Sequence, residues 1–250
     1  SSSWTVGGVF DPAFLHGLTL SADYISIDLR NVITASSATS VLKGCYDSTN
    51  YPNNFYCGLI TRGTGPDNLG QVTALQEPYV NQGALVFRAI EATLAYPMTL
   101  PGSIGRLTVQ ASYQHVIKQY AVISADSGIQ NERGQLGAGN FVDRANLNAT
   151  LDSGNVSWFN QVLYTGPAVF DPTEQPGTRD VMGVGSYVMW NTGVVIHATP
   201  RFDFRINVNN VTDRNIPYAA AATTGGSSAA NVYYDALAGR SFLFGAAIHL

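Results

Sequence analysis

Histidine, cysteine, tyrosine and arginine are the side chains of this 250-residue chain that could do chemistry, and their spacing decides which kind. His16, His115, His197 and His249 lie on different segments, none within a metal-ligand spacing of another. Ser112 and His115 share a segment but fall on opposite faces of a strand. Gly183-Val184-Gly185-Ser186 lacks the spacing of a nucleophile elbow, and Gly137-Ala138-Gly139 is too short for a dinucleotide fingerprint. These sets make no catalytic constellation, and no cofactor or metal follows from them. Cys45 and Cys57, the only cysteines, sit in one polar stretch rich in tyrosine and asparagine. Twelve positions apart with no histidine near, they do not fit a zinc pattern. They read as a local disulfide made in an oxidising compartment, worth about 3 kcal/mol to so short a loop. What remains is recognition by rings and cations: Tyr46, Tyr51, Phe55, Tyr56, Arg62 and Tyr79, then Arg133, then Tyr233 and Tyr234. Tyrosine gives rigid, amphipathic contact area at low entropy cost, and arginine suits an anionic ligand.

The elements that must position these residues read as strands. Phe202-Asp203-Phe204-Arg205-Ile206-Asn207-Val208-Asn209 is apolar at every second position and charged or amide between, a period of two. Nine such segments run roughly 3–10, 18–30, 83–96, 105–120, 141–151, 155–165, 186–198, 202–210 and 240–250. Leu107, Val109, Ala111 and Tyr113 share a face, as do Ala145, Leu147, Ala149 and Leu151, and Val188, Trp190, Thr192, Val194 and Ile196. In the second segment the alternation shifts phase near Tyr24-Ile25, which predicts a bulge or an extension. Asp23, Glu91, Arg144, Asp203 and Arg205 occupy the wet face. They read either as the polar wall of a barrel or as the lining of a substrate path.

Connections alternate strictly between short and long. The short ones are 11–17, 97–104, 152–154 and 199–201; the long ones are 31–82, 121–140, 166–185 and 211–239. Loops beyond about 15 residues are uncommon in compact soluble domains. Long loops at one end of a meander and short turns at the other are the layout of an outer-membrane barrel. Composition agrees: 45% hydrophobic but 12% charged residues, with Lys43 and Lys118 the only lysines. No apolar run approaches the roughly 20 residues of a membrane helix. The net charge of -4 comes without a basic run, so nucleic acid is not a partner. Aromatics such as Trp4, Tyr24, Tyr113, Trp158, Tyr164 and Phe242 gather near segment ends, where a headgroup layer satisfies ring and polar tip. The fold class expected is all-β, an antiparallel up-and-down transmembrane barrel. Nine strands cannot close such a barrel with both termini on one side, so the chain is expected to be an incomplete, C-terminal piece of a larger one.

Three stretches resemble the C-terminal part of TonB-dependent outer-membrane receptors. The first is Val6-Gly7-Gly8-Val9-Phe10-Asp11-Pro12 with Gly17-Leu18-Thr19-Leu20-Ser21-Ala22-Asp23-Tyr24. The second is the Cys45…Cys57 loop with Ile60-Thr61-Arg62, then Asn81-Gln82-Gly83 and Glu91. The third is Asn209-Asn210-Val211-Thr212-Asp213-Arg214-Asn215-Ile216-Pro217-Tyr218, then Tyr234-Asp235-Ala236-Leu237-Ala238-Gly239-Arg240 and the final strand. The resemblance implies a 22-stranded barrel filled by an N-terminal plug, of which residues 1–250 are the last nine strands without plug or TonB box. It implies no enzyme but energy-dependent uptake of a scarce nutrient, most often an iron–siderophore complex; oligosaccharide or cobalamin fits equally well. Implied partners are outer-membrane lipid, the TonB–ExbB–ExbD complex through the missing N-terminal part, and the barrel-assembly machinery at the C-terminal strand. Long loops would be extracellular, short turns and the C-terminus periplasmic. The final residue, Leu250, departs from the aromatic usual there, and Leu243 stands where a polar residue is common. A passive porin, a soluble sugar-binding β-sandwich and an outer-membrane enzyme are the rival readings, the last lacking catalytic residues.

Overall fold

The computed structural model describes residues 1–122, 130–136, 140–172, 174–178, 180–217 and 239–249. In chain order its elements are β1 (Ser2–Phe10), β2 (Thr19–Ala35), α1 (Ala38–Tyr46), a 3-10 turn (Cys57–Leu59), β3 (Ile60–Arg62), β4 (Val72–Leu75), β5 (Tyr79–Leu100), β6 (Gly105–Val122), β7 (Gln130–Asn131), β8 (Asp143–Ser153), β9 (Val156–Thr165), β10 (Ala168–Val169), β11 (Gly183–Val184), β12 (Tyr187–Thr199), β13 (Phe202–Asn209) and β14 (Ser241–Ile248). One sheet takes the nine long strands in the order β1-β2-β5-β6-β8-β9-β12-β13-β14, with β7 paired to β6. The order is that of the sequence, as in a meander, and the sheet is open, with β1 and β14 at its ends.

Two compact units divide the chain: Ser1–Ser3, Ile27–Phe87 and Gln119–Asn131 form the first, and Trp4–Ser26, Arg88–Lys118 and Glu132–Leu250 the second. In the second unit the registers stack the alternating residues into two continuous faces. Leu107, Leu151, Trp158, Val194, Ile206 and Phe244 lie side by side across six strands. Ala111, Leu147, Val162 and Trp190 make a second apolar row. On the opposite face Gln110, Asn148, Gln161 and Asn191 form a carboxamide row, with Asn191 donating to Gln161 at 3.0 Å. Period-two patterning is thus enough to separate an oily side from a wet one.

Each face is interrupted, and two of the interruptions have partners that offset them. Asn160 and Thr192 pair across β9 and β12 within the apolar face. The indole N–H of Trp190 donates to Asn160 Oδ1 at 3.2 Å, that of Trp158 donates to Thr192 Oγ1 at 2.9 Å, and Thr192 Oγ1 lies 3.0 Å from Asn160 Oδ1. A polar group left unpaired in an apolar medium costs several kcal/mol, and the two indoles reduce that cost. Leu163 and Met189 are paired on the polar face. They pack with Leu136, Phe141, Ala168, Val184 and Tyr187, so loop side chains cover them at the long-loop end of the strands.

Glycines on the polar face make room for its charged and amide groups. A Cβ on Gly7 or on Gly193 would collide with the Asp23 carboxyl or the Asn207 amide, and one on Gly245 would press on the Arg205 stem at 2.9 Å.

Several boundaries differ from the sequence expectation. The segment read as 18–30 continues to Ala35, with Asn31 left-handed at φ 55°. That read as 83–96 spans Tyr79–Leu100, so the connection expected at 97–104 shrinks to a turn after Leu100. Pro97 does not end its strand, because its fixed φ suits extended backbone and only its missing N–H is a defect there. The segment read as 202–210 stops at Asn209, since Asn210 is left-handed at φ 51°. The long connections also hold structure that strand reading does not predict: α1, the β3–β4 hairpin and the β10–β11 pair. Leu250 lies outside the described residues.

Candidate functional site

The first unit carries the aromatic residues singled out from the sequence. Helix α1 starts at Ser37, whose side chain accepts the Ser40 N–H at 3.1 Å, and it ends at Tyr46. The disulfide Cys45–Cys57 ties the last turn of this helix to the 3-10 turn, with the two Cα atoms 4.7 Å apart. Asn54 braces the same loop, donating to the Cys45 carbonyl at 3.2 Å and accepting the Cys57 N–H at 3.0 Å. The hairpin β3–β4 follows directly, its register running from Ile60 opposite Leu75 to Arg62 opposite Val72.

This bracing brings three of the expected ligand residues together. Tyr46 and Tyr51 stand with ring centroids 5.5 Å apart, and the Arg62 guanidinium sits 5.7 Å from the Tyr46 ring. Arg62 also donates to the Gly70 carbonyl, which orients its side chain. Tyr46 and Tyr51 are exposed, so their rings present contact area to solvent. Phe55 and Tyr56 form a second pair at 5.4 Å, edge to face. Tyr56 is different in kind: its ring lies against Gly44, where a Cβ would meet it at 2.6 Å. Its role is to hold the loop, and Phe55 is the exposed member of that pair. Tyr79 stands exposed at the start of β5. Arg133 belongs to the other unit, where its Nε donates to the Val116 carbonyl at 2.6 Å. Tyr233 and Tyr234 lie outside the described residues.

In the second unit the five charged residues expected on the wet face share one side of the sheet. Arg144 is paired with Gln114 and Thr165, and Gln114 donates to Glu91 at 2.9 Å. Ser21 and Thr93 are 2.7 Å apart on the face that also carries Asp23 and Glu91. Glu91, Gln114, Arg144, Asn146, Thr165 and Tyr187 line an open cavity of about 530 Å³. At the short-turn end Asp203 accepts from His197 at 2.9 Å and from His249 at 2.8 Å, which fastens β12, β13 and the end of β14 to one carboxylate. Among the described residues no group of His, Cys, Asp and Glu is arranged to hold a metal ion.

Sequence reading missed a knot that follows β13. Asn210 is fully buried. Its side chain accepts the Arg214 N–H and donates to the Arg214 carbonyl, both at 3.0 Å, while its own N–H donates to Asn191 at 2.9 Å. Tyr187 donates to the same Arg214 carbonyl at 3.1 Å, and the Arg214 guanidinium sits 5.5 Å from the Tyr187 ring. Asp213 accepts the Arg240 N–H at 2.9 Å, closing the loop onto the start of β14. The signal was present in Asn210 and Asp213, residue types that tolerate the left-handed conformation both adopt, at φ 51°. Replacing Asn210 by alanine is expected to cost about 2–3 kcal/mol, from two lost hydrogen bonds and partners left unpaired. Urea unfolding in detergent micelles measures it, and a loss below about 0.5 kcal/mol would contradict the anchoring role.

Residues 1–211 match the family described as TonB dependent receptor-like, beta-barrel. Among solved structures, a mutant ferric enterobactin receptor from Pseudomonas aeruginosa, PfeA, in complex with enterobactin, superposes with a TM-score of 0.62 and 14% identity over 98% of this chain and 31% of that one. The pyoverdine outer membrane receptor FpvA from Pseudomonas aeruginosa PAO1, bound to pyoverdine, gives 0.54 and 16% over 99% and 29%. The chain therefore spans under a third of the length of these receptors. At these identities the likeness is one of fold. No curated protein matches the sequence.

Proposed function

The chain belongs to the TonB-dependent receptor β-barrel family, and from that premise we propose that residues 1–250 form the C-terminal part of a barrel for energy-dependent import of an iron–siderophore complex across the outer membrane. The family works in transport and not in catalysis, and its place is the outer membrane. The observation that carries the proposal is the two-faced sheet: one side with an apolar row in register from β6 to β14, backed by a side rich in amides and charges. Lipid on the first side and water on the second satisfy both. Long loops then face outward from the cell and short turns face the periplasm. Asp23, Glu91, Arg144, Asp203 and Arg205 line the lumen, where a plug contributed by the rest of the polypeptide meets them.

Ligand capture is assigned to the disulfide-braced loop. Tyr46, Tyr51 and Phe55 offer exposed rings and Arg62 a cation, a combination suited to aromatic, anionic chelators. The receptors sharing this fold are named for ferric enterobactin and pyoverdine, which makes siderophores the first class to test. Coupling to TonB–ExbB–ExbD is part of the same proposal.

Uptake of radioiron presented as a panel of ferric siderophores, by cells whose own receptors are deleted and which express the complete polypeptide, tests it. One siderophore is expected to support uptake that a protonophore abolishes; uptake indifferent to the protonophore would identify a passive channel instead. In the same cells Arg62→Ala with Tyr46→Ala is expected to weaken binding of that siderophore about tenfold or more. Unchanged affinity would remove the loop from the binding surface.

A further inference from the structure

Three alanines break the large side chains of the apolar face, and the break has a shape. Ala92 on β5, Ala111 on β6 and Ala145 on β8 form the floor of a groove of about 570 Å³. Its walls are Leu20, Leu94, Leu147, Val162, Tyr113 and Tyr164. All of these side chains lie on the face opposite Glu91, Gln114 and Arg144, since Tyr113, Ala145 and Tyr164 are direct cross-strand neighbours, as are Ala111, Leu147 and Val162. A polar cluster stands at its long-loop end. Tyr113 donates through its hydroxyl to Asp143 at 2.6 Å, and His115 meets the same carboxylate oxygen through Nδ1 at 2.7 Å. Arg133 is fixed beside them by its bond to the Val116 carbonyl. Tyr113 therefore belongs to both places, its ring walling the groove and its hydroxyl entering the polar cluster.

We propose that this groove is a binding site for a single bilayer lipid, with an acyl chain along the alanine floor and an anionic headgroup phosphate against His115 and Arg133. The proposal rests on the reading of the apolar face as the lipid-facing one. Three features argue for that occupant. The groove is continuous with the lipid-facing wall, so a chain enters it without leaving hydrocarbon. Its polar end falls at the long-loop side of the strands, the level at which an outer-leaflet headgroup lies. Asp143 holds Nδ1 of His115, so it is the imidazolium form, with Nε2 also protonated, that donates to a phosphate, and Arg133, held at the Val116 carbonyl, adds a second cation near the carboxylate. A flat wall of leucines would hold no chain longer than its neighbours do; a recess with a cationic end distinguishes one lipid from the bulk.

Native mass spectrometry of the complete protein, extracted from outer membranes in a mild detergent, reads the proposal directly. A lipid adduct at a ratio of one is expected to persist at detergent concentrations that strip the rest. Ala92→Leu with Ala111→Leu fills the recess from the lipid side and is expected to reduce its occupancy about tenfold. His115→Ala leaves the recess open and is expected to reduce the retained fraction of the phosphate-bearing outer-leaflet lipid severalfold. Should the double variant fail to assemble, as judged by loss of heat-modifiable migration, Ala111→Leu alone and His115→Ala carry the comparison. Equal occupancy in wild type and assembled variants, or no retained lipid at all, overturns the site. Absence of the wild-type protein from the outer-membrane fraction overturns the membrane reading as well, whereas presence there without a retained lipid overturns the groove alone.

Discussion

Leu147→Arg is expected to destabilise the folded protein in a bilayer by about 2–4 kcal/mol, whereas Asn148→Arg, one residue along, costs under about 1 kcal/mol. The two positions are adjacent on β8 and differ only in the side to which they point. Leu147 stands between Ala111 and Val162 in the apolar row, and Asn148 between Gln110 and Gln161 in the carboxamide row. An arginine at the first must keep its charge among acyl chains or bend toward a distant headgroup. At the second it enters a face already lined by amides. Urea unfolding from liposomes measures both. Equal losses at the two positions would mean that the same solvent wets both faces, and the barrel reading would not survive that result.

Loss of the disulfide is the second large effect expected. Replacing Cys45 and Cys57 by serine removes a closure worth about 3 kcal/mol to the loop it spans. Cys45 precedes Tyr46 and Cys57 follows Tyr56, so the constraint acts on the residues assigned to ligand capture. Asn54 remains, but its two hydrogen bonds join the same pair of positions and do not persist once those separate. Ligand affinity is therefore expected to fall at least about tenfold, while strand content and resistance to unfolding of the sheet stay as in the wild type. Titration of the captured ligand, with circular dichroism on the same samples, separates the two. An affinity untouched by the substitution would show that the ligand is held elsewhere, with the cavity lined by Glu91 and Arg144 as the next place to look.

Much of this arrangement was legible because it depends on a local rule. A side chain on a strand points opposite to its neighbours, so Leu107, Val109, Ala111 and Tyr113 had to share a face wherever β6 lay, and the structure places them so. The disulfide was legible for a similar reason, two cysteines alone in one short polar stretch. What could not be read depends on partners distant in sequence. Leu163 and Met189 break the polar alternation, and only the loop residues packed on them, Leu136 and Phe141 among them, explain the break. Asn160 reads as a defect until Trp190 is seen to donate to it from the neighbouring strand. Gly193 and Gly245 look like weak strand residues until the Asn207 amide and the Arg205 stem are found above them. Among the candidate ligand residues, Tyr56 could not be told from Tyr46 in sequence. Its packing on Gly44 separates a bracing ring from a presented one.

Trp4, Trp158 and Trp190, the three tryptophans of the chain, provide the most direct test. Trp4 stands 5.2 Å from Tyr24, and Trp158 and Trp190 lie in the apolar rows, half exposed with no protein covering them among the described residues. Fluorescence of the complete protein in vesicles of brominated phospholipid, compared with that of its Trp158→Phe and Trp190→Phe variants, isolates the contribution of the two indoles. Strong quenching of both by bromine on the acyl chains, with little by aqueous iodide, is the expected result. Quenching by iodide and none by bromolipid would place the apolar face in water and contradict the account.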